Sequence, residues 1–277
     1  MSVIETLLPP QPAPPEAVKT YTTQRLIGRA LLGVWLAASV GLFLMIVDGW
    51  DPAKFEKYGP SFISGLGVTL LLVACSITLG AAISLPIAFA RMSKNKVLSW
   101  IAYGYVYFFR GTPLITQLFL VYYGLGSFRP ELQSLGLWWF FRDAWNCALL
   151  TFTLNTAAYQ AEILRGAIES VPRGQREGAA ALGLPARVAF FKVILPQAMI
   201  VALRPYGNEI ILMIKGSAIV AIVTVFDLMG ETRRAFSRTF DYQMYIWAAV
   251  LYLVMVEALR NLWVWLEERL TRHLKRR

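Results

Sequence analysis

Residues 172–196 read Pro-Arg-Gly-Gln-Arg-Glu-Gly-Ala-Ala-Ala-Leu-Gly-Leu-Pro-Ala-Arg-Val-Ala-Phe-Phe-Lys-Val-Ile-Leu-Pro. This basic, alanine-rich loop lies between two long apolar runs, which places it in water at a membrane surface. The spacing predicts a short helix over 174–182 that Gly183 ends at its C-terminus. Pro185 then suits the first turn of a second short helix, where a missing N–H costs little, and we expect that helix to end at Ile194-Leu195-Pro196.

The first predicted helix carries small side chains that allow another protein surface to approach its backbone closely, at Gly178, Ala179, Ala180 and Ala181. Arg176 and Glu177 flank this patch, and we expect them to fix the orientation of the helix in a partner's groove. The simpler alternative is an ordinary amphipathic loop that joins two membrane helices.

The same loop carries a motif in the order Glu177-Gly178-Ala179, Gly183 and Val193-x-Leu195-Pro196. It resembles the EAA loop of ABC importer permeases, keeps its spacing, and departs from it at Gly178 (usually Ala) and Val193 (usually Ile). The resemblance implies a coupling helix that docks on a separate ATPase subunit. The residues to which it assigns coupling are Arg176, Glu177, Gly178, Ala179, Gly183, Leu195 and Pro196.

The composition is that of a membrane protein, with 57% hydrophobic residues and a mean hydropathy of +0.52. A helical span needs roughly 20 apolar residues. Six runs are long enough, at about 27–47, 62–90, 98–126, 147–168, 201–229 and 244–266. Continuous runs do not fit the alternating short strands of a membrane barrel. The sequence therefore predicts an all-α, polytopic membrane protein of about six transmembrane helices.

The positions of Lys and Arg predict the orientation of these helices. With both termini in the cytoplasm, sixteen of the 27 basic residues lie on the inner side, seven lie outside and four fall within spans. This arrangement places the 172–196 loop in the cytoplasm. It also accounts for the formal net charge of +10, so we do not expect a nucleic-acid partner.

Several classes of function have no support in the sequence. The chain lacks a Gly-x4-Gly-Lys-Ser/Thr loop for ATP phosphates, clustered metal-ligand spacings and a nucleophile motif, so we expect no catalysis, metal or cofactor on this chain. A cleaved signal peptide is not expected. Cys75 and Cys147 both fall at or within spans and are predicted to be buried apolar residues instead of a disulfide.

The segments suggest four regions. Residues 1–24 form a proline-rich cytoplasmic tail, and 25–60 form an additional N-terminal transmembrane helix with an outer loop. Residues 61–270 form the transmembrane domain proper, in which the resemblance implies the five-helix core of a type I ABC importer. Residues 271–277 form a basic C-terminal tail, to whose His273 we assign no role.

Polar residues within the predicted spans are candidates for the substrate pathway. Arg110 is a cation at membrane depth, so it indicates function unless it only reaches a membrane rim, and Pro113 should kink its helix. Lys215-Gly216-Ser217 interrupts a later apolar run, and broken helices often bind transported substrates. Glu162 and Arg165 are expected to pair with each other. The candidate pathway residues are Arg110, Thr112, Gln117, Thr151, Asn155, Tyr159, Asn208, Glu209, Lys215 and Ser217.

Two of these segments refine the resemblance. Arg110-Gly111-Thr112-Pro113-Leu114 followed by Gln117, and 155–168 from Asn155 to Ile168, are similar to permeases of the polar amino acid uptake branch, whose substrates include histidine, glutamine, arginine and opines. Many amino acid permeases have an Asp where Gly216 stands, so the resemblance does not extend to an acidic contact with a cationic substrate at this position.

The resemblance implies a permease of the bacterial inner membrane that imports polar amino acids or related compounds. Its expected partners are ATPase subunits that bind ATP and Mg, a second permease chain (identical or different), and an extracytoplasmic substrate-binding protein. The alternative from another class is a self-contained secondary transporter or channel in which the intramembrane charges form an ion relay. A membrane enzyme is a weaker third possibility, because no catalytic constellation exists.

Overall fold

A computed structural model describes residues 23–272, and within them every regular element is a helix. The predicted proline-rich tail, apart from its last two residues, and residues 273–277 of the basic tail lie outside the described residues. The helices are α1 Thr23–Asp48, α2 Pro52–Arg91, α3 Lys96–Gly111, α4 Leu114–Phe119, α5 Arg129–Ser134, α6 Trp138–Phe141, α7 Ala144–Ser170, α8 Arg173–Ala181, α9 Ala186–Ala189, α10 Leu195–Ser217, α11 Leu228–Thr239 and α12 Gln243–Leu270.

Helix α1 belongs to a compact unit that ends at Trp50, and the described residues from Asp51 onward form the second unit. Its 26 residues are long and apolar enough to cross a membrane. Large apolar side chains such as Leu31, Val34 and Trp35 are exposed along it. Exposed apolar side chains on such a helix suit a lipid environment.

Helix α2 begins where the sequence provides a cap and a proline. The Asp51 carboxylate accepts a hydrogen bond from the Ala53 N–H (2.9 Å), and Pro52 occupies the first turn, where no N–H is needed. In that turn Lys54 forms an ion pair with Asp241, and this hydrogen bond lowers the pKa of the Asp241 carboxyl. The pair joins the start of α2 to the residues just before α12.

Helix α7 is the central helix of the second unit and packs along α2. Gly80 permits this packing, since a Cβ there would lie 2.5 Å from Cγ2 of Thr156 and 3.1 Å from Nε2 of Gln160. Residues on all sides of α7 are buried, including Phe152, Ala157 and Ala161. Such close contact between helices needs small residues because lipid supplies no hydrophobic force between them.

Within residues 23–272, four helices are apolar and long enough to span a membrane, namely Thr23–Asp48, Pro52–Arg91, Ala186–Val223 and Gln243–Leu270. The run predicted at 98–126 is divided into α3 and α4, and a π-helical turn over Leu120–Gly124 extends α4. The run at 147–168 is the more polar α7. The run predicted at 201–229 ends earlier, because a 3-10 turn over Ala218–Val223 follows α10 and Thr224 adopts a positive φ of 64°. The described residues thus confirm an all-helical fold, in which four helices have the length and composition to cross a membrane.

Candidate functional site

The 172–196 loop begins with a helix that ends as the sequence predicts. Helix α8 is followed by Gly183 at φ +68°, a conformation in which a side chain would be strained. The N–H of Leu184 donates to the Ala179 carbonyl (3.1 Å), and that of Gly183 donates to the Ala180 carbonyl (2.9 Å). This pair of bonds is the Schellman motif, so the reversal after α8 is fixed by the backbone itself.

The second half of the loop differs from the prediction. Pro185 precedes α9 as expected, but the helix does not end at Leu195-Pro196. A π-helical turn over Phe190–Ile194 joins α9 to α10, so residues 186–223 form one continuous apolar helix. A proline ring inside an α-helix would clash with the carbonyl four residues before it, and the wider π turn just before Pro196 relieves that crowding.

Helix α8 has one side exposed to solvent, which we call its open side, and one side that packs against the rest of the chain. Ala179 is buried, whereas Glu177 is exposed and forms no ion pair within the described residues. A Cβ at Gly178 would meet nothing within 4 Å. Next to them Leu182 has 79% of its surface exposed, an apolar residue that the sequence analysis did not single out. The open side therefore offers one carboxylate, bare backbone and one large apolar side chain.

Two polar contacts attach α8 to the helices on either side of the loop. The Arg176 guanidinium donates to the Ile168 carbonyl on α7 (3.1 Å). Gln197, on the first turns of α10, donates from Nε2 to Oε1 of Gln175 (3.2 Å). Arg176 therefore holds α8 to its own chain, in addition to the coupling role that the resemblance assigns to it.

Charged side chains cluster around Glu162 on α7, ten residues before the 172–196 loop begins. The Glu162 carboxylate accepts hydrogen bonds from Nε of Arg91 (3.0 Å) and from Nη2 of Arg165 (2.9 Å), and Nη1 of Arg110 lies 3.8 Å away. The predicted pairing of Glu162 with Arg165 is confirmed. Arg91 comes from the end of α2, 71 residues away in sequence, and its part in the cluster had no signal in the sequence.

Arg110 and Tyr159 border a cavity of about 360 Å³ beside this cluster. The Arg110 guanidinium lies 5.2 Å from the centre of the Tyr159 ring, and Glu162 lies at the same wall. The opposite wall is formed by α10 through Val201, Ala202 and Pro205. The cavity therefore combines a cation, a carboxylate and an aromatic ring with an apolar wall.

The chain breaks beside Arg110, where Thr112 is extended between α3 and α4. Pro113 thus interrupts the helix instead of only kinking it, since its ring also restricts the residue before it. Gln117 is buried and donates from Nε2 to the carbonyls of Phe109 (2.9 Å) and Thr112 (3.1 Å). Asn155 Nδ2 donates to the Phe109 carbonyl and to Oε1 of Gln117, both at 3.0 Å. These side chains satisfy the carbonyls that the break leaves without helical partners.

Other candidate pathway residues are also bonded within the chain. Thr151 and Ser217 are fully buried and donate to the carbonyls of Cys147 (2.7 Å) and Ile214 (2.8 Å). Glu209 is buried and accepts a hydrogen bond from Thr156 Oγ1 (3.0 Å).

Asn208 and Lys215 are exposed on α10, on the same face as Arg204, as predicted from the helical period. Arg204 forms an ion pair with Glu267 on α12, with 2.7 Å between Nε and Oε1. The structure brings Arg110 and Tyr159 to one cavity and places Asn208 and Lys215 on a separate exposed face.

The described residues contain no group of three or more His, Cys, Asp or Glu side chains that could hold a metal ion. Cys75 and Cys147 are free cysteines; Cys147 is buried as predicted and its thiol donates to the Phe141 carbonyl, whereas Cys75 is only half-buried.

Comparison with known proteins identifies relatives over most of the chain. The family described as "Binding-protein-dependent transport system inner membrane component" matches residues 80–272. The nopaline transport system permease protein NocM of Agrobacterium fabrum is 39% identical over 79% of this chain and 91% of its own length. The arginine ABC transporter permease protein ArtM of Escherichia coli is 35% identical over 80% of this chain and 99% of its own length.

Solved structures agree with this comparison. A chain from the crystal structure of an amino acid ABC transporter with histidines matches with a TM-score of 0.71 at 37% identity, covering 79% of this chain and 99% of that one. A chain of the MetNI methionine ABC transporter matches with a TM-score of 0.63 at 19% identity, covering 76% and 96% respectively. The second match shows a shared fold.

Proposed function

The chain belongs to the family of binding-protein-dependent transport system inner membrane components, and we propose that it imports polar amino acids or amino-acid-like compounds such as opines. It is the permease subunit of an ABC importer, a transport component and not an enzyme. The relatives named for nopaline and arginine support this substrate class. They give no support to the self-contained secondary transporter, because each is named as the permease protein of a transport system or ABC transporter.

The observation that carries the coupling proposal is the open side of α8. In the proposed complex an ATPase subunit binds this side and carries ATP and Mg, so the permease itself needs no cofactor. Glu177 has no carboxylate-binding partner in the described chain and is free to pair with a basic group of that subunit. Gly178 lets the partner approach the backbone, and Leu182 supplies an apolar anchor for a pocket.

The proposed topology has six membrane crossings with both termini in the cytoplasm of a bacterial cell. Four are the long apolar helices, the fifth is α3 with α4, and the sixth is α7. We assign residues 61–270 to the importer domain and 25–60 to an added helix with its outer loop. The excess of Lys and Arg on the inner side supports this orientation.

The proposed pathway follows the Arg110 cavity and the exposed face of α10. Arg110, Tyr159 and Glu162 offer opposite charges and an aromatic ring to a zwitterionic substrate. Asn208 and Lys215 are exposed on a membrane helix, where lipid contact is costly for polar groups, so we assign this face to a second permease chain and the aqueous pathway. An extracytoplasmic binding protein delivers the substrate to the outer opening.

The experiment that tests the coupling proposal is Glu177→Lys in the full chain expressed with its ATPase. Reversing the charge of a docked carboxylate costs roughly 2–5 kcal/mol, so we expect ATPase affinity to fall about 30-fold or more. The control is Glu268→Lys, which makes the same charge change at an exposed position on α12. Co-purification of the ATPase and uptake of labelled arginine are measured. Wild-type ATPase binding by a correctly inserted Glu177→Lys chain would contradict the proposal.

A further inference from the structure

A second cavity, of about 420 Å³, lies where α2 ends and α3 begins. It is lined by Arg91, Ser93, Lys96, Ser99, Trp100 and Tyr103. This cavity is not part of the substrate pathway proposed above. It opens at the junction between the C-terminus of α2 and the N-terminus of α3. Since α2 spans the membrane in the proposed topology, the cavity lies at the level of the lipid headgroups.

The polar groups of this cavity suit an anion. Lys96 is exposed and forms no ion pair with a carboxylate of residues 23–272. Arg91 lines the cavity while its Nε donates to Glu162, and no other carboxylate in the described part of the chain is bonded to these side chains. Ser93 accepts a hydrogen bond from the Asn95 N–H (3.1 Å), an arrangement in which its own O–H can donate to a ligand. Residues 91–96 contain three basic and no acidic residues.

The groups beside the basic ones are apolar and aromatic. Trp100 has 79% of its surface exposed, and Tyr103 stacks against the Arg91 guanidinium at 4.9 Å. Exposed apolar side chains continue from the cavity along the same side of α3, at Val97, Ile101 and Tyr107. Aromatic rings at the headgroup level followed by an apolar helix face are typical of a lipid-facing surface. A free inorganic anion has no apolar part that could contact these exposed side chains of α3.

We propose that this cavity binds the phosphodiester headgroup of an anionic phospholipid, with the acyl chains along the exposed face of α3. Lys96 and Arg91 pair with the phosphate, Ser93 donates a hydrogen bond to it, and Trp100 covers the glycerol region. Basic cavities between membrane helices recognise such headgroups through charge and donor groups. The inference rests on the proposed topology only in requiring that α2 ends and α3 begins at a membrane surface.

The test is native mass spectrometry of the full chain, purified with its partner subunits and titrated with phosphatidylglycerol or with zwitterionic phosphatidylethanolamine. We expect preferential retention of phosphatidylglycerol, reduced about fivefold by Lys96→Gln, the factor that corresponds to roughly 1 kcal/mol per basic residue at an anionic surface. The matched control is Lys94→Gln, which removes the same charge two residues away at a side chain that does not line the cavity. It should leave retention unchanged.

Three results would overturn the proposal. If Lys96→Gln and Lys94→Gln lose phosphatidylglycerol equally, the lipid is held by general surface charge and not by this cavity. If both lipids are retained equally, the cavity does not select an anionic headgroup. Displacement of phosphatidylglycerol by millimolar inorganic phosphate would identify a free-anion site. ATPase binding is measured on the same samples, because Lys96→Gln should leave it intact. Failure of lipid binding is thereby distinguished from failure of the coupling proposal.

Discussion

The break between α3 and α4 yields the sharpest prediction, because the sequence and the structure suggest different roles for Gln117. From the sequence, Gln117 is a residue of the substrate pathway. In the structure it is buried and its amide is bonded to Phe109, Thr112 and Asn155. The substitution Gln117→Leu keeps a similar volume and removes every one of these hydrogen bonds.

The size of the effect follows from the count of bonds. Nε2 makes three contacts but has two hydrogens, and Oε1 accepts one bond from Asn155, so about three full hydrogen bonds are lost. Side-chain hydrogen bonds in membrane proteins average about 0.6 kcal/mol, which gives about 1.8 kcal/mol. The stranded Thr112 carbonyl adds about 1 kcal/mol. We therefore expect the free energy of unfolding to fall by about 2–3 kcal/mol.

The assay is unfolding of the purified chain in mixed micelles by titration with a denaturing detergent. The control is Gln133→Leu, the same change at an exposed position on α5, which should stay within about 0.5 kcal/mol of wild type. Transport by the reconstituted complex is measured in parallel. If Gln117→Leu unfolds like wild type yet abolishes transport, Gln117 belongs to the substrate pathway, and its hydrogen bonds do not stabilise the break between α3 and α4 as we expect.

Two further predictions concern the 172–196 loop. Gly183→Ala places a side chain at φ +68°, so it should cost about 1 kcal/mol and weaken ATPase stimulation, and an unaffected Gly183→Ala would contradict a rigid reversal. Gly178→Ala adds a single methyl group in open space and restores the residue usual in this family, so a partner can still approach the backbone closely and full transport should be kept. Thermal melting and ATPase rates measure both variants. Leu182→Ala should leave the melting temperature unchanged and weaken ATPase binding about tenfold or more, since burying a Leu contributes roughly 1.5–3 kcal/mol. The control is Leu135→Ala, also at an exposed leucine. The same loss of ATPase binding in this control would contradict the role of Leu182 as an apolar anchor.

Features that depend on one or two neighbouring residues could be predicted from the sequence. Gly183 ends α8 because its missing side chain permits the conformation that the reversal needs. At Pro113 the sequence predicted a kink, whereas the structure shows a full interruption with Thr112 extended, so only the position of the irregularity was predicted. The long apolar helices follow from composition in the same way. By contrast, the sequence did not reveal that the helix continues through Pro196, because the π turn that accommodates the ring depends on packing.

Features that join distant segments could not be predicted. Glu162 meets Arg91 and Arg110 only because α2, α3 and α7 converge, and periodicity along one helix predicts just its pairing with Arg165. Asn155 and Gln117 could be recognised as polar residues within apolar spans, but their partners are carbonyls freed by a break in another helix. Leu182 was missed because a leucine at the end of a short helix gives no sign of being exposed.

The contacts of α8 explain how a docked ATPase could act on the cavity without a long relay. Arg176 holds α8 to Ile168 on α7, and Glu162 at the cavity wall is six residues before it, about 9 Å along the helix. Gln175 holds α8 to Gln197 on α10, and Val201 at the opposite wall is four residues further, about 6 Å. Both walls of the cavity are therefore continuations of the helices that hold the loop. In the proposed complex, a displacement of α8 that pulls unequally on α7 and α10 would change the width of the cavity, so these two helices are the elements through which we propose that coupling acts.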